Sequence, residues 1–235
     1  MLRREYLLPL VGFWLGFAVA VRPFVGGDLS HMPGDLVDAR LNVVMLEHGF
    51  RYLTGQEVSF WHAPFCYPAR WFTASSDNHL GNLPIYTAFR LAGAGPERSF
   101  QLWWLTTFAL TYAATLWAMR RLDATWLGAT VAAVAFTFGP AQMACANHAQ
   151  LAPRYFVPVV VVLFWQLLHA PTARRLLGVV LGWVGQVYCT VYVAYFLALL
   201  LVAMLVVAAA GRVLALFPPP LGGRVREGGE LPASN

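Results

Sequence analysis

Charge is scarce in this chain. Only 11% of its 235 residues are charged, against about 25% in soluble domains. Lysine is absent, so all 16 cationic side chains are arginines. Acids are missing over a long stretch, with none between Asp123 and Glu227. The three cysteines, Cys66, Cys145 and Cys189, lie far apart and form no CxxC pair. These absences exclude a soluble globular enzyme, a disordered regulator, a disulfide scaffold and a cysteine-based zinc site. What is abundant is apolar: 59% of residues are hydrophobic and the mean hydropathy is +0.58. That combination predicts an all-α polytopic transmembrane helix bundle.

The net charge of +5 is not a nucleic-acid signature here, and no nucleic-acid partner is expected. Arg3 and Arg4, Arg120 and Arg121, and Arg174 and Arg175 stand in pairs at the ends of apolar runs. That is a topology signal, and the partners it predicts are membrane lipids.

Residues 1–22 read as a first span, built on the uncharged run Tyr6 to Val21. Arg3 and Arg4 put its start in the cytoplasm. Residues 23–98 form a polar segment on the outer face. Two stretches in it are helical but too polar to span: Asp35 to Leu53, with Gly55 as the stop, and Leu80 to Leu91. Both fit helices lying on the membrane surface.

Residues 99–212 then hold about five spans. The runs are Ser99 to Met119, Ala124 to Asn147, Tyr155 to His169, and Leu176 to Gly211. The last would be ~54 Å as one helix, so a break near Cys189-Thr190-Val191-Tyr192 is expected; one long tilted helix is the alternative. With about six spans the arginine pairs and Arg212 share one side. Residues 213–235 read as a disordered tail or the end of a truncated chain.

The densest polar group is Gly34-Asp35-Leu36-Val37-Asp38-Ala39-Arg40-Leu41-Asn42. Asp35 and Asp38 are three apart and share one helix face. Such a pair can hold a cation, or one carboxylate can act as a base that the other orients. The alternative is that Asp35 caps the helix and Asp38 only enriches its first turn. Glu47 and His48 follow on the same helix, and Glu47 lies half a turn away from Asp38. They read as supporting or solvated groups. Ser75-Ser76-Asp77-Asn78-His79 precedes the second helix as a cap or as a polar loop facing an acceptor. At the outer end of the third span stand His148, Gln150 and Arg154. Arg154 suits a lipid phosphate, or serves only as an interfacial anchor.

Three motifs in this order resemble the GT-C superfamily of membrane glycosyltransferases, close to the protein-mannosyltransferase and arabinosyltransferase group and to bacterial multi-pass members of it. The first is Gly34, Asp35, Asp38 and Asn42. The second is Tyr67, Pro68, Ser76, Asp77, Asn78, Pro84, Ile85 and Tyr86. The third is His148, Ala149, Gln150, Leu151, Arg154, Val157 and Pro158. The resemblance runs from about residue 5 to 212.

It implies transfer of a sugar from a polyprenyl-phosphate donor to an acceptor hydroxyl at the outer face of the bacterial inner membrane. Asp38 would be the base, with Asp35 orienting the acceptor or helping to hold a divalent cation. Asn42, Asp77, Asn78 and Gln150 would bind substrate, while His148 and Arg154 would stabilise the leaving lipid phosphate. Members of the group are longer and carry more spans, so the resemblance also implies a truncated chain. A non-catalytic membrane protein, either a transporter part or an assembly subunit, and an inactive fragment are the alternatives.

Overall fold

The computed structural model describes residues 4–26, 28–34, 37–63, 68 and 70–216. Every regular element among them is helical. The chain runs α1 (Leu7–Val25), α2 (Asp38–Leu53), α3 (Leu83–Leu91), α4 (Pro96–Arg121), α5 (Trp126–Phe138), α6 (Phe156–His169), α7 (Ala173–Cys189) and α8 (Val191–Leu216).

Among the described residues, three segments are long and apolar enough to cross a membrane: Leu7–Val25, Ala149–His169 and Val191–Gly211. The first and the last of them turn many large side chains outward. Val11, Trp14, Leu15 and Val19 on α1, and Val202, Leu205, Val206 and Val207 on α8, are all exposed. Water is a poor solvent for such faces, and hydrocarbon is a good one. The chain therefore has the surface of a membrane-associated protein.

Small residues set the helix spacing. Gly12 and Gly16 on α1 lie against Thr130 and Phe138 of α5, where an added Cβ would come within 2.7 and 2.3 Å of those side chains. On α7, Gly178, Gly182 and Gly185 lie against Leu163, Val160 and Phe156 of α6, each closer than 3.0 Å to such a Cβ. Spacing glycines four apart lets two backbones approach, which is how apolar helices gain contact where no water drives them together. α1 also carries a π turn, Phe17–Val21, whose closing bond runs from Arg22 N to Phe17 O. Pro23 has no N–H to offer Val19, so the ladder slips by one residue there.

One aromatic core joins the first half. Phe100, Trp103, Trp104 and Phe108 of α4 are buried, with Leu46 and Phe50 of α2 and Leu83 and Tyr86 of α3 packed on them. Thus α2 and α3 are docked on α4 by one face each. Glu47 is half-buried and paired: Arg90 grips its two oxygens at 2.9 and 3.0 Å, and Tyr86 donates to it at 2.7 Å. His48 is buried against the Phe60 carbonyl at 3.0 Å.

Two expected runs divide. Ala124 to Asn147 is broken at Gly139, because Pro140 cannot donate to Phe136 and starts a separate turn, Pro140–Met143. Its first part, α5, has 13 residues, or ~20 Å, short of a ~30 Å hydrocarbon core. The last run breaks at Thr190, within the expected stretch, where the backbone is extended at φ −161° and ψ 122°.

Candidate functional site

Asp38 and Asn42 of the first motif meet His148 and Gln150 of the third in space, beside the loop that carries Asp77 and Asn78 of the second. On α2, Asp38 and Asn42 are one turn apart and point the same way. Two loops close on that face. Residues 148–151 come from the connection between α5 and α6, and residues 77–82 from the connection between α2 and α3.

The Asp38 carboxylate takes His148 Nδ1–H at 2.5 Å and Gln150 Nε2–H at 3.3 Å, both on Oδ2. Asn42 Nδ2–H donates to Gln150 Oε1 at 2.8 Å. His79 Nε2–H donates to Asn42 Oδ1 at 2.8 Å. Asn82 Nδ2–H donates to His79 Nδ1 at 2.9 Å and to the Cys189 carbonyl at 2.9 Å. Asn82, His79 and Asn42 are buried. The outer end opens to solvent, with the His148 and Asp38 side chains 50% and 30% exposed. The arrangement holds one carboxylate at the surface and fixes its orientation from below.

Burial favours the neutral imidazole, and it pulls the His79 pKa down to about 4. A neutral ring has one donor and one acceptor nitrogen, and both are used here. His79 sits at φ 58°, a left-handed backbone rare for a residue with a Cβ and held by these bonds. The preceding Asn78 forms a local turn, accepting from Leu80 N at 3.0 Å.

The same loop repairs the helix break. A gap between α7 and α8 leaves backbone groups without helical partners. Gly81 N–H donates to the Tyr188 carbonyl at 2.8 Å, and Val191 N–H donates to Asp77 Oδ1 at 2.7 Å. With Asn82 on the Cys189 carbonyl, the loop supplies three of the missing bonds. Gly81 is required for this approach, since a Cβ there would lie 2.9 Å from both Cys189 N and the Tyr188 carbonyl carbon. Burial pushes the Asp77 carboxyl above its ordinary range, opposed by the Val191 N–H.

Arg154 stands apart from this chain. Its Nε donates to the Leu151 carbonyl at 3.0 Å, and it edges an open groove of about 380 Å³ between α6 and α8. Phe136, Val157, Val193, Phe196 and Leu200 line the groove. Leu200 also lines a second apolar groove of about 710 Å³ that runs on to Trp165 and Met204.

The structure therefore joins Asp38, Asn42, His148 and Gln150 directly. Asp77 and Asn78 share the loop of His79, but Asp77 serves the α8 N-terminus. Arg154 is separate, and Asp35 lies outside the described residues, as does Cys66. His148, expected beside a phosphate, is bonded to Asp38. Among the described residues no three His, Cys, Asp or Glu side chains are grouped to hold a metal ion. Sequence reasoning missed His79, Gly81 and Asn82. The available signal was a run of His, Asn and Gly beside Asp77 in an otherwise apolar chain.

No family model, curated protein or solved structure matches the chain.

Proposed function

We propose that this chain is a multi-pass enzyme of the bacterial inner membrane that moves a sugar from a polyprenyl-phosphate donor to an acceptor hydroxyl at the outer face. The observation that carries the reading is the Asp38 cluster: a half-open carboxylate, held by His148 and Gln150, at the end of a buried polar chain. The Arg154 groove supports the donor class. Its single cation suits a phosphate and its apolar walls suit an isoprenoid chain.

In the proposed step the Asp38 carboxylate takes the acceptor O–H proton. The acceptor oxygen bonds to the sugar's anomeric carbon as the carbon–oxygen bond to phosphate breaks. The freed lipid phosphate carries the extra negative charge, which Arg154 balances. His148 then orients Asp38, and the phosphate contact falls to Arg154.

The test is sugar transfer from short-chain polyprenyl-phosphate sugars to membrane acceptors in proteoliposomes, normalised to folded protein. Asp38→Asn should lower the rate about 10²–10⁴-fold. Asp35→Asn should cost less, since in this reading Asp35 only assists the Asp38 base. Full activity in Asp38→Asn would remove Asp38 from the mechanism.

A second reading, part of a transporter, has one observation behind it. The α7–α8 break with the Asp77 carboxylate on its new N-terminus resembles the broken helices at which transporters bind ions. Flux of a coupling ion in the same proteoliposomes, abolished by Asp77→Leu and indifferent to Asp38→Asn, would favour it.

A further inference from the structure

We infer that His79 is a positioning residue for the Asp38 carboxylate, acting through Asn42 and Gln150 from the helix break at Thr190. The inference rests on Asp38 being the base of the proposed reaction. It comes from the sense of the hydrogen bonds.

At the inner end stands the Cys189 carbonyl, which can only accept, so the Asn82 amide turns its N–H₂ that way. The same N–H₂ faces His79 Nδ1 at 2.9 Å, so that nitrogen carries no proton and Nε2 does. Nε2–H then meets Asn42 Oδ1, which turns Asn42 Nδ2–H toward Gln150 Oε1. That in turn aims Gln150 Nε2–H at Asp38 Oδ2. A carboxylate, which only accepts, ends the series. Each link is set by the one before it, and from the Asn82–His79 bond onward every donor points toward Asp38.

Reversing His79 to the Nδ1–H tautomer would set two donors face to face at Asn82. It would also set two acceptors face to face at Asn42. The chain therefore has one stable sense. Aligned dipoles of this kind polarise one another in a buried setting. No apolar residue at position 79 passes the orientation on, although one of similar volume would fill the space beside Trp103.

The test uses the full chain, labelled with ¹⁵N-histidine, in lipid nanodiscs. His79 is assigned among the six histidines by its loss in His79→Gln. The expected ring is neutral, protonated on Nε2 and not on Nδ1, at every pH from about 5 to 8, well above the value of about 4. A ring protonated on Nδ1, or charged at about pH 6, overturns the proposal, and this state is read in the native chain.

Next, Asn82→Ala and His79→Phe should both move the His148 Nδ1–H resonance, though neither position touches His148. In transfer assays His79→Phe should lower kcat about tenfold to a hundredfold, with KM held to within about twofold. His79→Gln, which keeps an N–H toward Asn42, should recover most of the loss. If both variants are folded and leave the His148 resonance and kcat unchanged, the chain does not position Asp38 and the proposal is wrong. A His148 resonance that responds while Asp38→Asn stays fully active has a different meaning. It keeps the chain but removes the base, and with it the role given to His79.

Discussion

Burial of the His79 imidazole has a consequence for stability as well as orientation. The ordinary histidine value is 6.5, and in the folded chain it falls to about 4. Above 6.5 neither state binds the proton, and the folded state keeps its full advantage. Between 6.5 and 4 the unfolded chain is protonated and the folded one is not, so stability drops as pH falls. The loss approaches about 3 kcal/mol by pH 4. Asp77 works the other way: its carboxyl is raised, so in its window the folded state takes up a proton first and gains stability as pH falls. Comparing the native chain with His79→Gln isolates the imidazole. Thermal unfolding in nanodiscs should show the native chain losing more stability than the variant between about pH 7 and pH 4.5. Equal losses would mean that His79 is not held neutral.

The break between α7 and α8 is where an element depends on a distant loop. Leu176 to Gly211 is apolar throughout, and nothing in its composition forbids one long helix. Gly81, Asn82 and Asp77 satisfy the carbonyl and amide groups that the break releases. The break is buried at Cys189 and Thr190, and a buried group left unpaired costs about 1–3 kcal/mol, so the break and the loop stabilise each other. Gly81→Ala forces a Cβ against Cys189 Sγ at 2.7 Å and the α7 backbone at 2.9 Å, and the backbone cannot yield as a flexible side chain can. It should destabilise the chain by about 1–3 kcal/mol, as overpacking does. Gly211→Ala has open space around its Cβ and should be neutral or slightly stabilising. Thermal unfolding of the two variants side by side checks this, and equal midpoints would mean that the loop does not approach as closely as described.

On the scale of the whole molecule the testable matter is orientation. The paired arginines at 120–121 and 174–175 lie on the proposed cytoplasmic side, and the Asp38 cluster on the other. Val58 is fully exposed in the segment after α2. Cysteine placed there by Val58→Cys, in a chain with Cys66→Ser, should react with an impermeant thiol reagent in intact cells. A reporter fused after Arg212 should read as cytoplasmic. Labelling of position 58 only after permeabilisation would reverse the topology and remove the outer-face enzyme with it.

Composition and local pattern by themselves determined a helical, membrane-associated chain. They also pointed to a polar helix over Asp35 to Leu53 with its stop at Gly55, and to a break near Cys189-Thr190-Val191-Tyr192 with one long helix as the alternative. Those features follow from solvent preference, from charge near helix ends and from the length one helix can usefully have, all of which are local. The division of Ala124 to Asn147 at Gly139-Pro140 was legible too, but the run's apolar character hid it. The site was only half legible. Asp38, Asn42, His148 and Gln150 stand out as polar residues in apolar surroundings, yet nothing near them in sequence pairs Asp38 with His148, 110 residues away. Nor does a local pattern mark His79 as buried, because polar loop residues look alike until packing excludes water from one of them. Only the tertiary structure decided which loop plugs the helix break. That contact carries the sense of a hydrogen-bonded chain to Asp38, since the direction of each bond is set by a partner far away in sequence.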